Sequence, residues 1–341
     1  MHKNFKFFWH LSLVLCAFLA IKNANSQVTN ASPRVALIGV ERSLGEWLVR
    51  THEASRRRAY TGTFVVTAGG AMASARMWHV CDGSQQMERV ETLTGVPRTT
   101  LRRNDEVVTF ESETRVALRE RRESLGPFPA LIQSQTSQMG GFYALHQLSH
   151  TDRVAGFESE VFELVPRDAL RFGYRIWSEK KTGLMVKLQT LDAQQRVLEQ
   201  VAFSELQLDA PVQMTRLLKQ MKATEGYTVQ YSKSVPTTPN SQGWQLKAPV
   251  PGFEPVSCHT REAAMPGRPT PPMQWVFSDG LASISVFAEV FDPKRHSSEG
   301  GMSTGATHSL SRRHGDFWLT LVGEVPPQAL QLLAQQMERS R

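Results

Sequence analysis

From residue 60 onward, apolar and polar side chains alternate in short runs separated by turn residues, the pattern of half-buried strands. Such runs occupy 60–67, 75–81, 86–93, 99–103, 107–110 and 115–121, punctuated by Gly69-Gly70, Asp82-Gly83, Gly95 with Pro97, and Asn104-Asp105. The pattern resumes over 142–148, 161–165, 172–178, 184–192 and 197–206, so the first half predicts an antiparallel meander. Two segments carry a helical period instead. Ser43 and Glu46 form a capping box ahead of Trp47 and Leu48, which predicts a helix to about Ser55. A second helix is expected over 129–138, closed by Gly140-Gly141.

The Pro- and polar-rich stretch around 235–242 has linker composition. It divides the chain into a first domain over 41–215, a linker region over 216–243 and a smaller second domain over 244–341. The second domain opens on Trp244. Its clearest element is a hairpin in which Asp279-Gly280 supplies the positive φ angles of a two-residue turn. After the turn Ala282, Ile284, Val286, Ala288 and Val290 face one way, while Ser283, Ser285 and Glu289 face the other. Residues 293–308 are polar and glycine-rich and read as a mobile loop. A strand over 317–323 follows, then Pro326-Pro327 and a helix with Leu330, Leu333, Ala334 and Met337 on one face.

The fold class is therefore α+β and mostly antiparallel: a curved sheet with covering helices, plus a smaller β-rich C-terminal domain with a terminal helix. A curved sheet must cover its concave face. The helices can do so above a cleft lined by Phe64, Trp78, Phe110, Leu131, Phe142, Phe162 and Trp177, with ordinary core as the plainer reading of the same residues.

Residues 1–26 change the setting. Lys3 and Lys6 precede an apolar run over 7–21, and Ala24, Asn25 and Ser26 offer small residues for cleavage after Ser26. This predicts an exported chain. Leu15 before Cys16 disfavours lipid attachment there. The 39 lysines and arginines fall by three on cleavage against 32 acids, leaving a net charge of +4. That mild excess, in an exported protein, argues against a nucleic-acid partner. Cys81 and Cys258 then remain; export permits a disulfide, but their spacing decides nothing.

Candidate chemistry is sparse. Gly301, Ser303 and Gly305 match the G-x-S-x-G nucleophile pattern, but it lies in polar sequence with no strand-to-helix elbow, and only 36 residues follow to supply partners. His146 and His150 are four apart on a segment that reads as strand, without the glutamate of a zinc helix. Cys258-His259 lacks a second ligand pair. No phosphate loop, metal site or cofactor site emerges, and the chain reads as a binding protein rather than an enzyme.

Several segments in order resemble the RseB/MucB family of periplasmic sigma-E regulators. They are 152–156, 163–168, Arg171 to Trp177 and 182–184 in the first half, then Trp244, 251–253, 277–281 and 322–327. The resemblance implies a first domain like the lipoprotein carriers LolA and LolB, a half-barrel with helices over its concave face. It implies that the chain binds the periplasmic domain of a transmembrane anti-sigma factor of the RseA/MucA kind and shields it from proteolysis. Lipopolysaccharide or a related lipid would release that block. It brings no catalytic residues, and homo-oligomerisation stays open. On the residues alone, Arg312 and Arg313 beside the last strand are candidates for gripping an acidic partner segment. A lipid or lipoprotein carrier is the alternative; the second domain, which a carrier does not need, argues against it.

Overall fold

The computed structural model describes residues 44–121, 139–232, 234–261 and 272–340. The expected helix over 129–138, Leu131 and the export segment lie outside the described residues. The opening helix α1 (Leu44–Arg57) buries Trp47, Leu48 and Ala54 and leaves Gly45, Glu46 and Val49 to solvent, as its spacing requires.

The first sheet has twelve strands. Six follow α1 as successive hairpins: β1 (Tyr60–Ala68), β2 (Ala71–Cys81), β3 (Gln86–Thr92), β4 (Arg98–Arg103), β5 (Glu106–Glu111) and β6 (Val116–Arg121). Five more follow: β7 (Tyr143–Val154), β8 (Phe157–Pro166), β9 (Gly173–Glu179), β10 (Met185–Leu191) and β11 (Val197–Leu208). β11 returns to pair with β1, so the two meanders fuse into one curved, open sheet. Each expected strand of this half is present.

β1 shows why one face is the inside. Tyr60, Phe64, Val66 and Ala68 are buried, while Thr61, Thr63, Val65 and Thr67 alternate outward. Across the registers the inner face continues through Met77, Val201, Phe203, Leu188, Ile176 and Phe162. α1 lies over it, with Trp47 centred 5.0 Å from Phe162.

Residues 216–243, expected as linker, hold more structure than that. α2 (Met214–Lys222) packs Leu217 and Met221 on the outer face, against Met87, Leu101, Val108 and Phe110. The following strand β12 (Thr228–Tyr231) pairs in parallel with β6 at the sheet edge. The polar surface of this stretch concealed two apolar anchors at helical spacing.

The second sheet is built from β13 (Ser234–Pro236), β15 (Glu254–Arg261), β16 (Met273–Ser278), β17 (Ser283–Val290), β18 (Gly300–Thr304), β19 (Thr307–His314) and β20 (Phe317–Gly323). β14 (Trp244–Leu246) pairs instead with the C-terminal β21 (Met337–Arg339). The helix α3 (Pro327–Gln336) lays Leu330, Leu333 and Ala334 on this sheet, and Met337 follows into the same core.

Two expectations change here. The hairpin loop between β16 and β17 has four residues, because Ser278 pairs with Ser283. The Asp279 carboxylate accepts from the Leu281 and Ala282 amides at 2.9 and 2.8 Å and so closes a wider turn; Val290, at its far end, is exposed. Residues 293–308 are not one loop. Their second half forms β18 and the turn into β19, an edge hairpin whose polar, glycine-rich composition hid its alternation.

Candidate functional site

The two sheets meet along a buried seam, and the polar groups there are organised around Arg171. Its side chain is fully buried, which is tolerable for a guanidinium only if its donors are answered. Nη2 donates to the Pro251 carbonyl at 2.8 Å and Nε to Asp168 Oδ1 at 3.2 Å. Nη1 lies 3.5 Å from Asp279 Oδ2, itself fully buried. The guanidinium carbon sits 4.5 Å from the Phe142 ring centre and 5.1 Å from that of Phe253, so the cation is sandwiched between aromatics from both halves of the chain.

Gly252 makes that slot possible. At its φ of +77°, a Cβ would lie 2.8 Å from both terminal nitrogens of Arg171 and 2.9 Å from the Phe142 ring. Asp279 also accepts from the Tyr143 hydroxyl at 3.2 Å. Burial pushes the Asp279 carboxyl up, against the lowering influence of two amides, Arg171 and Tyr143. The buried phenols of Tyr143 and Tyr174 are pushed well up by burial first; next come Tyr174 and then Asp279 for Tyr143, and Asp279, Glu324 and Glu199 for Tyr174. The apolar contacts interlock as well: Leu281 of the second-sheet hairpin joins the first core, and Leu170 packs against the second.

A second contact lies at the tip of the β18–β19 hairpin. Ala306 is fully buried, and a Cβ on Gly305 would lie 2.8 Å from the Cβ of Ala68 in the first sheet. Gly305 has a φ of +58°, so its place in the G-x-S-x-G match reflects a tight turn and a close approach. Ser303 is an exposed strand residue opposite His308, with no elbow beneath it.

The seven aromatic and aliphatic cleft candidates do not share one surface. Phe64 and Phe162 are buried on the inner face beneath α1. Phe142 is half-buried at the seam on Arg171. Trp78 pairs with Thr61 and Arg89 and so points outward, its ring 4.4 Å beneath the Arg89 guanidinium. Phe110 is also outward, under α2 and edge-on to Tyr227. Trp177 pairs with Val161, opposite in sense to Phe162; its indole donates to Asp152 at 2.7 Å and Lys187 lies 4.0 Å over its ring. The correction has a simple cause: register, not aromatic size, assigns the face. Leu131 lies outside the described residues.

Arg312 and Arg313 separate in the same way, being successive residues of β19. Arg313 is exposed, stacks 4.1 Å over Phe291 and donates from Nε to the Gly315 carbonyl at 2.8 Å. Arg312 is half-buried on the other face, where His314, Lys247 and Arg339 also gather. His314 is pushed down by burial first, then by Arg312, Lys247 and Arg339. Arg339 lies over Phe317 at 4.3 Å and Trp244 at 5.1 Å and donates to the Gln242 carbonyl at 2.7 Å. This is a basic patch on an aromatic floor. Cys81 and Cys258 are both free thiols, and burial pushes that of Cys258 up to about 11.

None of Arg171, Tyr143, Tyr174 and Asp279 stands out as a site residue in the sequence. The one detectable signal was Asp279 as a turn residue between apolar strands, which says nothing of burial; its partner, 108 positions away, had none.

Known proteins share this arrangement of two sheets. The MucB/RseB N-terminal domain matches residues 43–221 and the MucB/RseB C-terminal domain residues 238–338. The sigma factor AlgU regulatory protein MucB of Pseudomonas aeruginosa is 28% identical over 292 residues, covering 82% of this chain and 86% of that protein. The sigma-E factor regulatory protein RseB of Escherichia coli K12 is 24% identical over 299 residues, 86% of this chain and 90% of that protein. The crystal structure of MucB in complex with MucA(peri) superposes with a TM-score of 0.66 at 24% identity, covering 88% of this chain and all of that one. With both of its halves matched in order, this chain belongs to the MucB/RseB family.

Proposed function

We propose that this chain is a periplasmic negative regulator of an envelope-stress sigma factor. It binds the periplasmic domain of a membrane anti-sigma factor, shields it from proteolysis, and lets go in response to a lipid or lipopolysaccharide signal. The observation that carries this reading is the match to both family domains, since relatives with the same pair are named as sigma-factor regulatory proteins. The complex of MucB with MucA(peri) supports the partner class. Export through residues 1–26, with cleavage after Ser26, is part of the proposal and would bring the chain into the compartment of that partner. The reading calls for no catalytic residue and no cofactor.

Within it, residues 244–341 supply the grip, and the patch of Arg312, Lys247 and Arg339 receives carboxylates of the partner. Lipid would enter by the inner face of the first sheet, toward Phe64 and Phe162. Calorimetry of the full chain against the periplasmic domain of its anti-sigma partner tests the core claim, together with protection of that domain from the protease that opens it. Binding in the micromolar range or tighter, with protection, is expected. No heat and no protection at about 100 μM would overturn it. Arg312→Glu should weaken binding about tenfold and flatten its salt dependence, whereas Arg313→Glu, already stacked on Phe291, should change it by less than about threefold. Equal effects of the two would show that the patch is not the grip.

A further inference from the structure

Where the β18–β19 tip meets the first sheet, two carboxylates come together: Gly323 pairs with His308, which brings the next residue, Glu324, beside the turn at 305–307, and there it raises the carboxyl of Glu199. Glu199 of β11 pairs with Ala68 of β1, the residue that Gly305 presses upon. Its Oε2 is buried, accepts no hydrogen bond, and would lie 3.3 Å from a Cβ on Gly305. Its carboxylate takes one bond from the other side of the seam, from the Ala306 amide. Glu324 stands just beyond the end of β20, between the buried Gly323 and Val325.

The surroundings offer little else. Tyr174 of β9 lies within the influence of Glu199, Glu324 and Asp279. Tyr143 of β7 bonds to Asp279. Arg171, the nearby cation, is committed to Asp168, Asp279 and the Pro251 carbonyl. His308 of β19 holds its Nδ1 3.2 Å from the Ala306 carbonyl and packs on Phe172, which leaves the hydrogen of that nitrogen spoken for. Two ionised carboxylates in this seam would repel each other with one amide to answer them. With one proton between them, the protonated group becomes a donor and the repulsion disappears.

We propose that Glu199 and Glu324 form a proton-operated latch between the two sheets: protonation of the pair holds the β18–β19 tip on the first sheet, and loss of the proton loosens it. The tip carries Ser303 and the exposed Met302, so the latch sets how firmly an edge hairpin of the second sheet is tied to the first.

The direction follows from linkage. In the docked seam, burial first and Glu324 second raise the Glu199 carboxyl to about 7, and burial raises that of Glu324. With the tip undocked, both return toward 4.5. Docking is therefore favoured fully below about pH 4.5, and that advantage is lost as pH rises through about 7. A full shift of this size on one group would change the docking equilibrium by about 300-fold; solvent screening at a half-buried site reduces this, and about tenfold is expected.

Hydrogen exchange of the full chain tests it. Protection of the Gly305, Ala306 and Thr307 amides, corrected for the intrinsic pH dependence of exchange and referred to the β1 amides, should fall about tenfold from pH 5.5 to pH 8. Glu199→Gln and Glu324→Gln should each keep the tip protected at both pH values, because neither can ionise the pair. Glu205→Gln, exposed on the same strand, should respond as the unaltered chain does. Flat protection in the unaltered chain, or an unchanged pH response in both glutamine variants, would overturn the latch. Should the glutamine variants fail to fold, carboxyl-carbon NMR of the unaltered chain decides: a Glu199 midpoint above about 6 upholds the proposal and one near 4.5 overturns it.

Discussion

Replacing Arg171 by methionine removes the charge at the centre of the seam while keeping an unbranched apolar stem between Phe142 and Phe253. Three hydrogen-bond or ion-pair partners lose their donor: the Pro251 carbonyl, Asp168 and Asp279. Asp168 is partly exposed and can turn to water, so its share is small. The Pro251 carbonyl loses a charged donor, but Pro251 is exposed and water can replace it, so that loss is about 1 kcal/mol at most. Asp279 matters most, because breaking a fully buried pair from one side costs about 3–5 kcal/mol when the remaining charge cannot escape. It can escape here by taking up a proton. Burial already pushes the Asp279 carboxyl up, and losing Arg171 pushes it further. The destabilisation should therefore depend on pH, about 4 kcal/mol at pH 8 and smaller at pH 5, because a carboxyl pushed up takes on a proton more readily as the pH falls. Urea titrations at the two pH values, followed by intrinsic tryptophan fluorescence, read the difference. Adding Asp279→Asn should restore at least about 1 kcal/mol at pH 8, since the double variant leaves no buried charge. A loss below about 1 kcal/mol at both pH values, or one independent of pH, would refute the view that this cation and this carboxylate hold the seam together.

Phe162→Ala should cost about 3–5 kcal/mol, because a fully buried ring under Trp47 leaves a cavity; Trp78→Ala should cost about 1 kcal/mol, mainly its outward contact with Arg89. Thermal unfolding of the two variants checks the face assignment, and similar losses would contradict it. Gly305→Ala should destabilise by about 2–3 kcal/mol through its positive φ and the Ala68 contact, whereas Ser303→Ala should be neutral in both stability and partner binding. A neutral Gly305→Ala would mean that the tip does not press on the first sheet.

Most of the fold was legible in the sequence because strands covered on one face announce themselves. β1 alternates between apolar residues and threonines, and β20 begins and ends where its apolar run does. Faces were harder. β2 places Ala75, Met77 and His79 inward, and following that alternation rather than the large ring would have put Trp78 outside. β9 gives no such help: Tyr174, Ile176 and Trp177 are all buried, since both faces are covered there, and parity leaves no trace in composition. α2 was hidden by its polar surface, and β18 by glycine and serine. The seam was least legible of all. Arg171 and Asp279, and Glu199 and Glu324, each look like ordinary surface residues until the chain brings them together across more than a hundred positions.

The family-like segments acquire a common meaning at that seam. Arg171 supplies the cation, and the same stretch carries Tyr174, whose phenol lies close to both glutamates and to Asp279. Pro251 gives the carbonyl, Gly252 the space and Phe253 the second ring of the arginine slot. Asp279 closes its own turn and answers Arg171, while Leu281 from that turn enters the first core. Glu324 follows the last residue of the strand that leads into Pro326 and α3. A carrier that only sheltered a lipid under one curved sheet would require none of these residues. A regulator gripping a partner with one sheet and sensing a signal with the other requires the two to be mechanically joined. Buried ionisable groups serve that purpose better than an all-apolar seam, because their balance responds to a proton or to a displaced partner charge, whereas an apolar contact of the same area does not.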